Sequence, residues 1–442
     1  MGDRRIPEDV ITEVVLVADS TRSALDPNWP PAPPAKGALA DKIAYWIQWK
    51  NDQFFGILRL LIPIFRLPKG GPVLVTRFKD VQEVLSRPDT FGVVYAPMMD
   101  KSVGPFMLAR DNTVYNRRDK GIMRSLIDDK DHPEIRKRVS RIASKCIQQG
   151  TVDGTLELVA SVTRRAPILL TGKYFGFPGP DVETMMRWSK ATQLDMFHNQ
   201  TMSGKVHDDS ILAGREMWEY ITNELLPKRR KQLRKNPERN DIVSRMLSTQ
   251  CPAHIGWDEG RIVSNIMGLL VGGIETTSQA VIQIVDELLS RPKQLDGARQ
   301  AALHGDEALF ARYCWEALRF NPINPVVFRQ CNQDYRLASG TFRTKLIRKG
   351  RVVVVGTRSA MEDPREVARP RKFRTNRPDY QYLHLGFGEH RCLGDGVSMV
   401  QVPEIVKQIV LLKNLRRMPG KAGQIDFGGG PFPERFSVMY DA

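Results

Sequence analysis

The chain has 442 residues and a formal net charge of +16, because 66 Lys and Arg outnumber 50 Asp and Glu. Its 41% hydrophobic and 26% charged residues are ordinary for a globular protein. No recognisable nucleic-acid-binding module accompanies the positive charge, so we expect no nucleic-acid partner. The five cysteines form no CxxC pair, which argues against a zinc site or a disulfide scaffold. Free thiols fit a reducing compartment, and we expect a cytoplasmic protein.

The N-terminal region differs in composition from the rest of the chain. Its first twenty residues mix charges with single apolar residues and contain no apolar core of the kind found in signal peptides. Residues 26–36 are proline-rich and cannot form a regular helix or strand. We therefore expect residues 1–36 to form an extended arm and residues 37–442 to form a single domain.

The most apolar stretch of the sequence is Phe54–Phe65. It is too short to span a bilayer and is interrupted by Arg59 and Pro63, so no transmembrane segment is expected. The pattern favours a helix packed on its own domain. Contact with a membrane surface is the alternative.

A short β region and a long helical region follow. Clustered β-branched residues predict strands within residues 71–78, and helical periodicity follows over residues 79–86. The next predicted helices cover residues 133–149, 155–171, 181–197 and 210–233.

The last and longest predicted helix covers residues 258–290. It is apolar on most faces, which predicts burial in the middle of the protein. It contains Gly272 and Gly273, although glycine costs about 1 kcal/mol in a helix interior. Glu275 and Thr276 follow directly, and an acid beside a hydroxyl can deliver protons in general acid catalysis. A helix–helix contact through small residues is the alternative interpretation.

The sequence pattern changes after Phe320 from helical periodicity to short strands and irregular segments. Short strands are predicted over residues 326–330, 335–337 and 351–355. A long irregular stretch, residues 359–391, then leads to a glycine-rich loop and one more helix, and irregular stretches of that length are usually functional. The predicted fold class is mostly α with a small β portion.

The loop over residues 385–394 places three glycines around Cys392. Glycine allows backbone angles that other residues avoid, and it lets the main chain approach a bulky group. Backbone N–H groups in such a loop, and at the start of the following helix, would stabilise a thiolate. The alternative is a tight turn that holds a buried free cysteine.

This loop resembles the haem-binding signature of the cytochrome P450 family, Phe-Gly-x-Gly-x-His/Arg-x-Cys-x-Gly. The matching positions are Gly386, Gly388, His390, Cys392 and Gly394. Leu385 stands where the family has Phe. The resemblance implies that Cys392 is the thiolate ligand of the iron of haem b, iron protoporphyrin IX. It also implies a single-domain cytochrome P450 fold for residues 37–442, with the long central helix over the haem.

Three further segments resemble the same family in the same order. Residues 272–277 are similar to the pattern Ala/Gly-Gly-x-Asp/Glu-Thr of the central helix. This similarity implies that Gly273 lies beside the haem and that Thr276, with Glu275, delivers protons. Glu-x-x-Arg and Phe-x-x-x-Arg motifs imply a buried network that braces the haem loop. Its expected members are Glu316, Arg319 and Arg377.

The resemblance also implies basic partners for the two haem carboxylates. The expected partners are His132, Arg136, Arg329 and His390. Tyr382 stands where the family has a further histidine. By the same resemblance, the substrate pocket is expected to draw on residues 93–108, 169–202, 269–276 and 325–328, which are rich in apolar side chains.

The predicted function is monooxygenation of an apolar small molecule with O2. No flavin or iron–sulfur module is visible, so electrons would come from a separate ferredoxin or flavodoxin with its reductase, and the positive charge would steer that acidic partner. Arg391 and Lys407 are candidates for the docking face. Two alternatives are open. One is an enzyme that uses peroxide or a hydroperoxide without a reductase, which would not need the Glu275–Thr276 relay. The other is a haem-binding sensor or carrier without oxidation.

Overall fold

The computed structural model describes residues 52–68, 70–111, 113–199 and 203–441. The expected N-terminal arm, residues 1–36, lies outside the described residues. The described helices are α1 (Asp52–Leu61), α2 (Phe78–Leu85), α3 (Ala96–Ser102), α4 (Val114–Leu126), α5 (His132–Gly150), α6 (Arg165–Leu170), α7 (Val182–His198), α8 (Gly204–Tyr220), α9 (Leu226–Lys235), α10 (Ile242–Ser248), α11 (Glu259–Gly273), α12 (Glu275–Leu289), α13 (Pro292–Leu303), α14 (Glu307–Phe320), α15 (Thr357–Met361) and α16 (Asp395–Val410).

The strands are short and form three small sheets. They are β1 (Ile64–Arg66), β2 (Val73–Val75), β3 (Phe91–Gly92), β4 (Thr151–Val152), β5 (Thr155–Glu157), β6 (Val327–Cys331), β7 (Tyr335–Leu337), β8 (Lys345–Ile347), β9 (Val352–Val355), β10 (Arg416–Arg417) and β11 (Ser437–Met439). The largest sheet has the order β1-β2-β9-β6-β3, in which β2 and β9 pair in parallel and the other neighbours antiparallel. The second has the order β10-β11-β5-β4, and β7 pairs with β8. The predicted class, mostly α with a small β portion, is confirmed.

The apolar segment near residue 60 forms α1 and β1. Leu58 and Ile64 are buried, whereas Leu60 and Leu61 are 64% and 69% exposed. The Arg59 guanidinium ties the helix to the protein, because it donates to the carbonyl of Ser359 at 2.7 Å. The predicted helix is therefore present, but part of its apolar surface faces outward.

The central helix forms the middle of the largest apolar core. Residues Glu259–Leu289 are the one stretch, among the described residues, that is long and apolar enough to cross a bilayer. Of its most apolar 18-residue segment, 78% is buried inside the protein. The prediction of one unbroken helix over residues 258–290 is wrong in one detail, since the helix breaks at Ile274 into α11 and α12. α12 packs against α14, which carries the Glu-x-x-Arg motif, and against α16, which follows the cysteine loop.

Candidate active site

The loop that carries Cys392 has a tightly constrained backbone. Gly386 and Gly388 have φ angles of +78° and +70°, a region that residues with a Cβ rarely adopt. A Cβ on Gly388 would also lie 2.6 Å from the carbonyl oxygen of Leu85. The amide of Cys392 donates to the carbonyl of Leu385 at 2.8 Å and closes the loop. Both glycines are therefore required by the path of the backbone.

The surroundings of the Cys392 sulfur act on its charge in both directions. Burial and the charge of Asp395 raise the pKa of the thiol, whereas the backbone N–H of Gly394 and the charges of Lys120 and Arg391 lower this pKa, and the net shift is upward. Gly394 directly precedes α16, so the positive end of that helix dipole lies beside the sulfur. The side chain lines a large internal cavity.

The break in the central helix lines the same cavity. A Cβ added to Gly272 or Gly273 would meet no atom within 4 Å, so both glycines face open space. The hydroxyl of Thr276 donates to the carbonyl of Gly272 at 2.5 Å. In a regular helix this carbonyl would accept the amide N–H of residue 276, and the hydroxyl satisfies it where the helix breaks. Thr276 and Cys392 thus line one cavity from different elements.

Glu275 faces away from the cavity that Thr276 lines. Its carboxylate is 1% exposed and accepts from the Arg164 guanidinium at 3.0 Å. Arg164 also bonds to Glu434 at 3.0 Å, and Glu434 pairs with Lys190 at 2.7 Å. Burial raises the pKa of Glu275, and the charge of Arg164 opposes that shift. One oxygen, Oε1, is buried and has no hydrogen-bond partner among the described residues. The acid is therefore held in an ion-pair chain that reaches toward the surface.

The structure brings together the three residues of the expected bracing network. Glu316 accepts two hydrogen bonds from Arg319, both at 2.9 Å, and two from Arg377 at 3.0 and 3.1 Å. All three side chains are buried. Tyr382, which stands at a family histidine position, donates to the same carboxylate at 3.1 Å. Its phenol therefore joins this network and does not line the cavity.

The two arginines of this network also order the long irregular stretch before the loop. Buried backbone carbonyls need donors wherever no helix or sheet supplies them. The carbonyls that Arg319 and Arg377 bind belong to Met361, Ala368, Arg369, Pro370 and Lys372. The network thus substitutes for secondary structure in this segment.

Arg329 and His390 both line the cavity. Arg329 is 7% exposed, and it donates to the carbonyl of Phe328 at 2.8 Å. No ion pair to it is found within the described residues, and burial lowers its pKa. His390 bonds to Asp111 at 3.1 Å, and Asp111 also accepts from the amide of Val93. A buried guanidinium without a counter-ion is costly unless a bound anion neutralises it.

The structure does not bring His132 and Arg136 to the cavity. Both lie on α5, where His132 pairs with Asp129 at 3.2 Å and Arg136 pairs with Glu307 at 2.7 Å. Neither side chain lines the cavity. The predicted pair has the right residue types and spacing, but α5 packs against α16 with these side chains committed to carboxylates of the protein itself.

Asn116 and Lys120, on the preceding helix α4, line the cavity in their place, and the sequence reasoning missed them. Asn116 donates to the carbonyl of Met107 at 2.9 Å, and its Oδ1 is buried without a hydrogen-bond partner within the described ranges. Lys120 donates to the carbonyls of Glu389 and Arg391 in the cysteine loop. The only available signal was the i, i+4 spacing on one helix face, which many helices share.

We expect Lys120→Met to destabilise the cysteine loop. Two loop carbonyls lose a charged donor, so the free energy of unfolding should fall by about 1–3 kcal/mol. A denaturant titration of the haem-loaded protein measures this change. The control is Lys130→Met, because the Lys130 side chain is 90% exposed and its removal should cost less than about 0.5 kcal/mol. Equal effects of the two substitutions would contradict a role for Lys120 in holding the loop.

The cavity as a whole suits haem. Residues from all four predicted segments line it, which confirms the expected origin of the pocket. Cys392 could supply one thiolate to a metal, Gly272 and Gly273 leave open space on the central helix, and the Arg329 guanidinium could pair with an anion. A flat group with a metal centre and carboxylates at its edge meets each of these features.

Comparison with known proteins identifies the family. The family model described as Cytochrome P450 matches residues 181–421, more than half of the chain. The mycinamicin IV hydroxylase/epoxidase of Micromonospora griseorubida is 25% identical over 378 residues, covering 83% of this chain and 87% of that protein. The nocardicin C N-oxygenase of Nocardia uniformis subsp. tsuyamanensis is 26% identical over 366 residues, covering 80% and 84% respectively.

A solved structure supports the fold. The crystal structure of CalO2 aligns with a TM-score of 0.74 and 20% identity, covering 93% of this chain and 98% of that one. Both curated relatives are oxygenases by name, which argues against the alternative of a carrier without oxidation. The chain belongs to the cytochrome P450 family and is a haem-iron monooxygenase.

Proposed function

We propose that this protein uses O2 and electrons from a separate redox partner to insert one oxygen atom into an apolar small molecule. The observation that carries the proposal is that Cys392 and Thr276 line one cavity whose other walls are mainly apolar. The proposed cofactor is haem b, and the proposed location is the cytoplasm. Haem bound through a thiolate supplies O2 activation and O–O bond cleavage.

The proposed binding residues surround the cofactor on several sides. Cys392 would be the thiolate ligand of the iron, and Gly273 would leave room for the haem beside the central helix. Arg329 and His390 bind its carboxylates, because charge-assisted hydrogen bonds of this kind are the strong ones. Lys120 is added to this set, since it lines the cavity and ties down the cysteine loop.

The structural residues of the loop have a separate proposed role. Gly386, Gly388 and Gly394 shape the loop around the sulfur. Glu316, Arg319 and Arg377 hold the irregular stretch that precedes it and do not react.

The proposed proton path runs through Thr276. Its hydroxyl lines the cavity and donates its one proton to the Gly272 carbonyl, so to act as a relay it would turn that proton toward the cavity and accept a replacement from water or from Glu275. Glu275 would resupply this path by releasing Arg164, taking up a proton from water and rotating toward Thr276, since its carboxylate is paired with Arg164 and does not line the cavity. Before that rotation, the ion pair with Arg164 holds the carboxylate away from the cavity.

We expect Thr276→Ala to separate electron consumption from product formation. Product formed per electron should fall by up to about 10²-fold, the low end of general-acid contributions, because water can partly replace the hydroxyl. Hydrogen peroxide released and product formed, measured together, report this change.

Thr277→Ala is the matched control, since Thr277 also lines the cavity and follows in the same helix. It should leave the ratio of product to electrons nearly unchanged. An unchanged ratio in Thr276→Ala as well would count against the proposed path.

The electron donor is proposed to be an acidic ferredoxin or flavodoxin. Arg117 and Arg124 are exposed on α4, on the same side as Lys120, and Arg391 on the loop is 47% exposed at its side chain. Lys407, the other expected contact, is only 14% exposed and is bound to two carboxylates, so it is not part of the proposed face. The net charge of +16 favours such an encounter at low salt.

The deciding experiment compares two ways of driving the enzyme. Turnover of a bound substrate with a ferredoxin and its reductase is expected to exceed turnover with hydrogen peroxide. Turnover with peroxide alone would support the alternative, a haem-thiolate enzyme that is independent of a reductase.

A further inference from the structure

The C-terminal half of α7 contributes a distinct wall to the cavity. Gln193, Met196, Phe197 and His198 line it there. α7 crosses the central helix close by, where the Ser189 hydroxyl donates to a carbonyl of α11 at 3.4 Å. This wall therefore faces the helix that carries the glycine pair, on the side where a substrate would lie.

Gln193 is a buried polar residue whose side-chain oxygen is not stabilised by any of the described residues. The residue is 2% exposed, and its Oε1 is buried with no hydrogen-bond partner in the part of the chain that the structure describes. An unsatisfied buried polar atom costs about 1–3 kcal/mol. Neighbouring lining residues such as Met196 and Phe197 are apolar, so the amide is out of place unless a bound molecule pairs with it.

His198 is the second polar group of this wall. Burial lowers its pKa to about 4, so the imidazole is neutral near pH 7 and offers one donor and one acceptor. Its ring contacts the edge of Phe432, with the ring centroids 5.0 Å apart. No hydrogen bond to the ring is found in the part of the chain that the structure describes.

The wall has a fixed geometry. Asp195, one turn from His198, is fully buried. Its carboxylate accepts from the side-chain amide of Asn199 at 2.8 Å and bonds to the His207 ring of α8, also at 2.8 Å. These bonds hold the end of α7 against α8. Binding groups on a rigid element lose little freedom when a ligand binds.

The distribution of charge around the cavity points to a neutral ligand. Three cations line it within the described residues: Lys120, Arg329 and Arg391. All three lie on α4, β6 or the cysteine loop, and none lies on the α7 wall. No Asp or Glu of the described residues lines the cavity. A charged substrate group at the α7 wall would be buried without a counter-ion, which is costly.

We propose that the substrate is a neutral, largely apolar molecule that carries a hydroxyl or amide group, and that Gln193 and His198 bind that group. This inference rests on the proposed function, because it concerns the same cavity. Free fatty acids and amines are disfavoured, and the two side chains determine which end of the molecule faces α7.

The test measures binding to the haem-loaded protein by calorimetry at pH 8, with three probes of equal chain length. They are dodecanamide, dodecanoate and dodecyl methyl ether. Dodecanamide is expected to bind at least about tenfold more tightly than dodecanoate. Gln193→Leu and His198→Phe should each weaken dodecanamide roughly 3- to 10-fold and leave the ether within about twofold.

Met196→Leu is the control, because it changes the same wall without changing its polarity, and all three affinities should stay the same. Tighter binding of dodecanoate than of dodecanamide by the unaltered protein would overturn the inference without any variant. Equal weakening of the amide and the ether in both variants would also overturn it. The measurement needs neither a reductant nor O2. If the three probes bind in the expected order but the protein oxidises no substrate, the result would contradict the proposed function and leave this inference standing.

Discussion

Cys392→Ser is expected to abolish the spectrum of a thiolate-ligated haem. A serine hydroxyl is neutral at pH 7 and a poor iron ligand, so the electron donation that favours O–O cleavage is lost. The reduced, carbon monoxide-bound protein should lack the red-shifted Soret band that thiolate ligation produces, and oxygenation should fall to background. Absorption spectroscopy of the purified protein measures the first effect directly.

Cys251→Ser is the matched control for this substitution. Cys251 is a free, half-buried thiol that does not line the cavity. Its replacement should leave the spectrum unchanged. A Soret band typical of thiolate that persists in Cys392→Ser would contradict the assignment of the ligand.

Glu316→Gln is expected to have the largest effect on stability. It removes the only carboxylate, among the described residues, that Arg319 and Arg377 contact, and it leaves two guanidinium groups buried without a counter-ion. Breaking a buried ion pair by removing one partner costs about 3–5 kcal/mol. The backbone carbonyls that the two arginines hold would lose their fixed positions as well. Denaturant unfolding of the haem-loaded protein is the measurement.

Glu307→Gln provides the control on the same helix. Glu307 also binds two cations, Arg136 and Lys407, both at 2.7 Å, but its side chain is 35% exposed. Its removal should cost about 1 kcal/mol or less, because exposed ion pairs contribute little. If both substitutions lower the free energy of unfolding equally, burial would not explain how the Glu316 network stabilises the protein.

Some features of the site followed from local sequence alone. The glycines around Cys392 could be recognised because positive φ angles at Gly386 and Gly388 exclude most other residues. The pairing of Glu316 with Arg319 could be predicted because residues three apart share a helix face. The family resemblance placed Arg377 with them, and the structure shows all three in contact.

Other features depended on which elements pack together. His132 and Arg136 have the expected spacing, but α5 carries them away from the cavity, and Asn116 and Lys120 on α4 reach it. Spacing on one helix cannot distinguish two successive helices that both present a polar pair at i and i+4. The position of a helix relative to the cavity is a tertiary property.

The sequence by itself determined the cysteine loop, the buried central helix with its Gly272–Gly273 pair, and the acid–hydroxyl neighbours that follow. Each of these depends on backbone angles or on periodicity within one segment. The tertiary structure decided the partners: Arg164 for Glu275, Glu316 for Tyr382, and, among the described residues, none for Gln193 Oε1. A side chain's partner is set by distant segments that packing brings together, and for this reason the pattern of one segment could not predict it.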